Sequence, residues 1–276
     1  MKKTITIALL TAAAIGATSF FSSCSNKNDD DYWIIDRRPD PVTIDLSKVF
    51  TNGMPKEVDS MTIQTDERGL VTSIKTKDEM VSFKYINTKT RAIVIPNVFM
   101  KVERNGETTV YRMYLNNNGF VRGCMREQKE NTKEDTWYFA YNDNDQLTNI
   151  THSADINKIF TLTYKDGNIS EIETKTILSP ATTKQKDTCK VAYTSTATPT
   201  PIVNKGNMML FNTTFGIDMG AIKYAYYAGL LGKATKNLPV QLINKSGNKT
   251  NFTWTVNSNG FPTAMTSGSH QYKFGW

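Results

Sequence analysis

The sequence predicts an all-β protein: an antiparallel meander of β-hairpins, curved into a closed or half-open barrel-like sheet, with one short helix near 218–231. Three observations carry this. The chain is rich in Thr, Asn and Gly, which favours strands and turns over long helices. Five segments repeat one strand–turn–strand pattern, and the strands that enter those turns alternate apolar and polar residues. At 276 residues, 39% hydrophobic and 21% charged, the chain is also too apolar to be disordered and large enough for a sizeable core.

The N-terminus reads as an address. Lys2 and Lys3 precede an apolar run from Ile5 to Phe21, the layout of a secretory signal peptide over residues 1–23. Phe21, Ser22, Ser23 and Cys24 resemble a bacterial lipobox, in which cleavage before the cysteine is followed by acylation of its thiol and new amine. Acylation at Cys24 would hold the protein on a membrane, because each buried methylene contributes about 0.8 kcal/mol. Residues 24–41 then form an acidic, flexible tether with Asp29, Asp30 and Asp31. They resemble the export signal of surface lipoproteins, and a plain solvated spacer is the other reading. A single β-rich domain is expected over 42–276.

Within that domain the repeats are TDERGLVTSI (65–74), NNNGFVRGCM (116–125), NDNDQLTNI (142–150), KDGNISEI (165–172) and NSNGFPTAM (257–265). Gly69, Gly119, Gly167 and Gly260 supply the positive φ that these turns need, and Asp145 takes that place in the third copy. The incoming strands place Trp137, Phe139 and Tyr141, then Phe160, Leu162 and Tyr164, then Phe252, Trp254 and Val256 on one face, with the other face largely Thr. The outgoing strands are less regular. Val71 and Ile74 are three residues apart and would point to opposite faces, so either a bulge intervenes or the first residue packs under the turn. Between copies, residues 177–206 read as a Pro-rich loop containing a strand at 190–195. From Asp218, a candidate N-cap, to Gly232, the expected stop, Ile222, Tyr226, Leu230 and Leu231 follow helical spacing. The next strand is expected to begin at Leu238 and Pro239.

The unit of aromatic strand, Asn/Asp/Gly turn and Leu-x-x-Ile exit resembles the YD-type repeats of secreted bacterial proteins. Together with the lipobox, LPVQLI (238–243) and FTWTVNSNGFPTAM (252–265), it resembles a Bacteroidetes outer-membrane lipoprotein family of unknown function described as having a porin-like fold. The likeness covers most of 58–276 and implies architecture without any catalytic residue. The ending Tyr272, Phe274 and Trp276 is similar to the last strand of outer-membrane barrels. However, Thr, Lys, Glu and Asn on the faces opposite the core favour a soluble meander over a lipid-spanning one.

Motifs for chemistry are mostly lacking. There is no nucleophile elbow, zinc-protease helix, phosphate loop or dinucleotide fingerprint, and interspersed charges summing to +7 give no nucleic-acid footprint. Neither a cofactor nor a metal site is expected, since Asp143, Asn144 and Asp145 read as a turn and the two His and two remaining Cys are scattered. Cys124 and Cys189 are the one pair that could form a disulfide, but two unpaired, buried thiols are the expected state. His152 shares a face with Ile150, and Asp155 lies three residues on. Tyr138 points away from the apolar face. These two are the candidate ligand contacts. His270, in a turn-like context, and the pairs Glu134 with Asp135 and Glu171 with Glu173 read as ordinary solvated groups.

The leading functional expectation is a non-enzymatic cell-surface lipoprotein, anchored in the outer membrane, that binds an extracellular glycan or protein. A periplasm-facing location is the alternative. A carrier sheltering an apolar cargo in a curved sheet is the second reading, and a carboxylate-based hydrolase is the third.

Overall fold

The computed structural model describes residues 42–86, 95–127, 135–154, 157–177 and 184–276. The expected signal peptide, Cys24 and the tether lie outside them, as do Glu134 and Asp155. The described residues form sixteen strands: β1 (Glu57–Val58), β2 (Met61–Thr65), β3 (Val71–Lys75), β4 (Glu79–Tyr85), β5 (Val98–Arg104), β6 (Glu107–Leu115), β7 (Val121–Arg126), β8 (Thr136–Tyr141), β9 (Leu147–Ser153), β10 (Asn157–Lys165), β11 (Asn168–Ile177), β12 (Lys184–Ala192), β13 (Gln241–Ile243), β14 (Lys249–Val256), β15 (Pro262–Ser267) and β16 (His270–Gly275). Each pairs antiparallel with its sequence neighbours, and β1 pairs with β16 through Glu57 with Gly275 and Val58 with Phe274. The meander is therefore a closed barrel.

Because consecutive strands alternate in direction, all five repeated turns fall at one end, here called the repeat end. Their local chemistry is shared. In four of them the leading Asp66, Asn116, Asn142 or Asn257 accepts backbone N–H bonds from two and four residues on, through one side-chain oxygen. The fifth is a two-residue turn with both Asp166 and Gly167 at positive φ, like Asn105–Gly106 between β5 and β6.

Each repeated turn is followed by a bulge. Thr65 sits opposite Val71 while Gln64 sits opposite Ser73, so Thr72 is an extra residue on β3. Arg122, Thr148, Ser170 and Thr263 are the extra residues in the other copies. The bulge resolves the three-residue spacing seen in the sequence, because Val71 and Ile74, like Leu147 and Ile150, are all buried on the inner face. Hydroxyls of Thr72, Ser170 and Thr263 reach across to the carbonyls of Gln64, Thr163 and Thr255 at 3.1–3.3 Å.

The carbonyl of the residue that opens the bulge is capped by an aromatic side chain from the next hairpin. Tyr85 donates to the Val71 carbonyl at 2.7 Å, Tyr141 to Val121 at 2.7 Å and Tyr193 to Ile169 at 3.1 Å. The indole of Trp276 does the same to Pro262 at 2.7 Å, while that of Trp254 bonds at 2.7 Å to the carbonyl of Pro239, which precedes β13 and opens no bulge. Tyr164 holds the equivalent register beside Leu147, yet its hydroxyl is buried without a partner.

A sixteen-strand wall encloses more space than its own side chains fill. The segment between β12 and β13 occupies it. Met208, Phe211, Phe215, Ile222, Tyr226 and Leu230 of this insert join inward-facing Val81, Met100, Met113, Ile150, Phe160 and Met265 in one apolar cluster. The insert is stitched to the repeat turns. Val121 N–H donates to Leu230, Lys233 N–H to Asp145 and Lys236 N–H to Gly167, while Gln146 Nε2 donates to the carbonyls of Gly167 and Ala234.

The insert departs from the expected single helix over 218–231. It contains α1 (Phe211–Phe215), a 3-10 turn at Gly220–Lys223 and α2 (Tyr224–Tyr227). The helix stops at Gly229, whose φ is 72°, with Leu230 N–H bonded to the Ala225 carbonyl. Burial of nearly every residue from Tyr224 to Leu231 explains the difference: the segment packs on all sides, so its apolar spacing does not measure helix length. Gly232, the expected stop, instead allows close approach, since a Cβ there would stand 2.4 Å from the Asp145 carbonyl oxygen. The strand expected at 190–195 runs over Lys184–Ala192, and the one expected from Leu238 begins at Gln241.

Two stability outcomes follow from this wall and insert. Tyr141→Phe leaves a buried carbonyl uncapped and is expected to cost about 1–2 kcal/mol in chemical denaturation. Tyr164→Phe removes a hydroxyl that has no partner and is expected to be neutral or stabilising in the same experiment. Gly232→Ala combines a positive φ with a steric overlap and should destabilise by more than about 2 kcal/mol.

Candidate functional site

The end opposite the repeat turns, here called the mouth, is slanted among the described residues. β12 pairs with β11 along its length but with β13 only through Lys190, Val191 and Ala192. The wall is therefore tall at β10 to β12 and low at β13 and β14. From the repeat end the insert reaches across to this side of the barrel, where the Tyr224 hydroxyl donates to Glu79 Oε2 and Arg104 lies 3.9 Å from Oε1. Burial, reinforced by the bond to Glu79, raises the Tyr224 phenol above its usual range. α1 touches the other wall through Thr213 Oγ1 and the Tyr272 hydroxyl at 3.1 Å.

The inner face of β6 to β9 gathers a polar cluster at this mouth. Register places Trp137 opposite His152 and Arg126 opposite Tyr111, while Asp135 lies two residues before Trp137. The His152 Nε2 and Asp135 Oδ1 are 2.7 Å apart, and Arg126 is 3.8 Å from Asp135 Oδ2. The Trp137 ring stacks on the imidazole at 3.8 Å with planes within 10°. The bond from His152 holds the Asp135 carboxyl below its usual range, against the opposing effect of burial, and the charges of His152 and Arg126 assist. Burial pushes the neighbouring Tyr111 phenol up to about 12. The Asp135 and His152 side chains are 24% and 21% exposed, so solvent reaches both. The arrangement offers fixed hydrogen-bonding groups of both signs beside the half-buried Tyr111 ring, with Trp137 itself buried against the imidazole.

Tyr138 and His152, the two ligand contacts expected from the sequence, lie on opposite faces of the wall. Tyr138 points outward and is 56% exposed, with its ring over Gly123 on the adjacent strand, where a Cβ would be 3.8 Å from the ring. His152 points inward. Its described partner is Asp135, and Asp155 lies outside the described residues. Sequence reading passed over Asp135 as a partner, although counting register outward from the Asn142–Gln146 turn pairs Trp137 with His152 and brings Asp135 beside them. Arg126 and the contact of Tyr224 with Glu79 had no sequence signal, since they depend on strand stagger and on the path of the insert.

The other candidates have structural roles. Cys124 is buried and Cys189 half-buried; both are unpaired, so no disulfide joins them, and burial raises both thiols above their usual range. Asp145 accepts from Asn118 Nδ2 at 2.8 Å and pairs with Lys233 at 3.2 Å. Among the described residues no group of three His, Cys, Asp or Glu is arranged to hold a metal ion. His270 stands 3.7 Å from Asp59 on the low lip. Glu173 points outward and pairs with Lys175 and Lys186. The outer wall is polar throughout this region, with Thr161, Thr163, Glu171, Lys186 and Lys190 on it. A lipid-facing barrel would carry an apolar band there. Among the described residues no helix is long and apolar enough to cross a membrane.

Comparison with known proteins supports the same architecture. A family model described as a domain of unknown function (DUF4595) with porin-like fold matches residues 57–264. The structure is similar to that of a porin-like protein from Bacteroides uniformis, with a TM-score of 0.54 at 19% identity over 78% of this chain and 88% of that one. It is also similar to a porin-like protein from Bacteroides vulgatus, with a TM-score of 0.51 at 11% identity over 81% and 99% of the two chains. No curated protein matches.

The depressed Asp135 carboxyl has a direction that can be measured. A carboxylate stabilised in the fold contributes fully above the ordinary range near pH 4, and the contribution fades as pH falls through its lowered folded value. Asp135→Asn is therefore expected to be less stable than wild type at pH 7, with the gap narrowing in denaturation curves taken towards pH 3.

Proposed function

The chain belongs to the family of domains of unknown function with porin-like fold (DUF4595), and on that premise we propose that it is a lipid-anchored surface protein that binds an extracellular glycan at its mouth. The observation that carries this reading is the cluster of Tyr111, Arg126, Asp135, Trp137 and His152, held in place by its own bonds, with solvent reaching the Arg126, Asp135 and His152 side chains. Polyhydroxylated ligands are recognised by pre-set donors and acceptors next to aromatic surface, and this cluster supplies the polar groups beside one half-buried ring, that of Tyr111. The anchor rests on Cys24 and the signal-like segment before it.

The two other readings are less well supported. A carrier needs lumen volume, and the insert packs against the wall in one apolar cluster. A hydrolase needs a nucleophile or water-activating pair. Among the described residues, His152 has Asp135 as its hydrogen-bonding partner, and no hydroxyl is bonded to its second ring nitrogen. The porin-like label describes strands and connections, and the filled lumen and polar outer wall set this chain apart from a pore.

A glycan array followed by calorimetry on the intact protein tests the proposal. Arg126→Ala and His152→Ala are expected to weaken the captured glycan by about 10-fold or more, the scale of a lost charge-assisted bond. Tyr138→Ala, on the outer wall, should change affinity less than about 2-fold. No captured glycan, or loss confined to Tyr138→Ala, would remove the mouth as the binding site.

A further inference from the structure

The chain enters the barrel over the closed repeat end, and this sets which end a membrane anchor would hold nearest. Thr43 lies against the β6–β7 turn, where a Cβ on Gly119 would stand 2.9 Å from its carbonyl oxygen. Lys48 Nζ donates to the Asn118 carbonyl at 3.1 Å, and Leu46 packs against Gly229 of the insert. Phe50 meets Tyr226 edge-on at 5.6 Å, and Asn52 Nδ2 donates to the Lys205 carbonyl at 3.0 Å. Lys205 in turn reaches Asn259 in the β14–β15 turn at 2.8 Å. Residues 43–52 thus form a strap from one repeat turn to another across the plugged end, and Val42 begins at its rim.

We infer that, in the anchored protein, the repeat end with its strap faces the bilayer and the mouth lined by Arg126, Asp135 and His152 faces away from it. The inference rests on the reading of Cys24 as the anchor. Eighteen residues, from Cys24 to Pro41, separate the anchor from the strap, a reach of at most about 60 Å. A nine-residue strand adds about 30 Å before tilt. Turning the mouth towards the lipid would use about half of that reach on passing the barrel wall, whereas the opposite pose uses none of it. The mouth is then the surface first met by a ligand arriving from the medium.

The test uses the full lipidated chain on vesicles of phosphatidylethanolamine and phosphatidylglycerol that carry a headgroup-attached nitroxide quencher. In a Cys189→Ser background, single reporters are placed at Asn144→Cys and Ser258→Cys on the repeat end and at Lys77→Cys and Lys245→Cys on the mouth side. All four positions are exposed turns. Quenching is expected to be severalfold stronger at the first two positions. Equal quenching at both ends, or stronger quenching at Lys77→Cys and Lys245→Cys, would overturn the orientation while leaving the anchor intact. Mass spectrometry of the same sample separates the two claims, because an unmodified Cys24 with no flotation on vesicles removes the anchor and the orientation together.

Discussion

The carbonyl that each bulge turns out of the ladder is the constraint on which the barrel depends. A bulge places two residues against one, so a backbone oxygen loses its cross-strand partner in a region that is otherwise buried. Tyr85, Tyr141, Tyr193 and Trp276 restore the bond from the neighbouring hairpin at four of the five bulges. Each cap crosses from one hairpin to the next, so the requirement also fixes how neighbouring units stagger. The two-strand unit, with its leading Asx residue, extra residue and distant aromatic cap, is the element that repeats around the wall.

A second consequence is the insert. A wall of this strand number leaves a lumen that must hold either water or chain. Here it holds apolar chain from the β12–β13 connection, and the turns that carry the bulges are the turns that bind it. Asp145 and Gly167 offer main-chain carbonyls to Lys233 and Lys236, and Asn168 and Asn237 exchange two bonds at 2.8 and 3.0 Å. Turn chemistry at one end therefore both closes hairpins and plugs the barrel, which leaves the other end free to carry polar groups.

The parts of this arrangement that are local were legible in the sequence. Gly69, Gly119 and Gly260 announce positive φ, and the three-residue spacing of Val71 and Ile74 implied a bulge before any register was known. Strand number was less legible: the hairpin at Asn105–Gly106 has the same turn signal, yet its flanking strands, β5 and β6, lack the Leu-x-x-Ile exit that marks the repeats. The insert misled because helical spacing and all-round burial look alike over a dozen residues. The site was the least legible part. His152 stood out as one of two histidines, but its partner Asp135 precedes it by seventeen positions and becomes adjacent only through the hairpin register. Arg104, Glu79 and Tyr224 meet only because the insert crosses the lumen.

The same physics separates this barrel from transport. A pore needs a wet lumen and a greasy exterior, and both requirements act on every strand because alternation assigns each residue to one face or the other. In this chain the alternation runs the other way: Phe160 and Leu162 face inward, while Thr161, Thr163, Glu171 and Lys186 face outward. Reversing it would require a one-residue slip in each hairpin, which the bulges at the five repeat turns, and the aromatic caps at four of them, oppose by fixing register. Topology shared with porins therefore carries no commitment to their function. What the topology leaves to this chain is the end opposite the repeat turns, where Arg126, Asp135 and His152 gather at the edge of the apolar core.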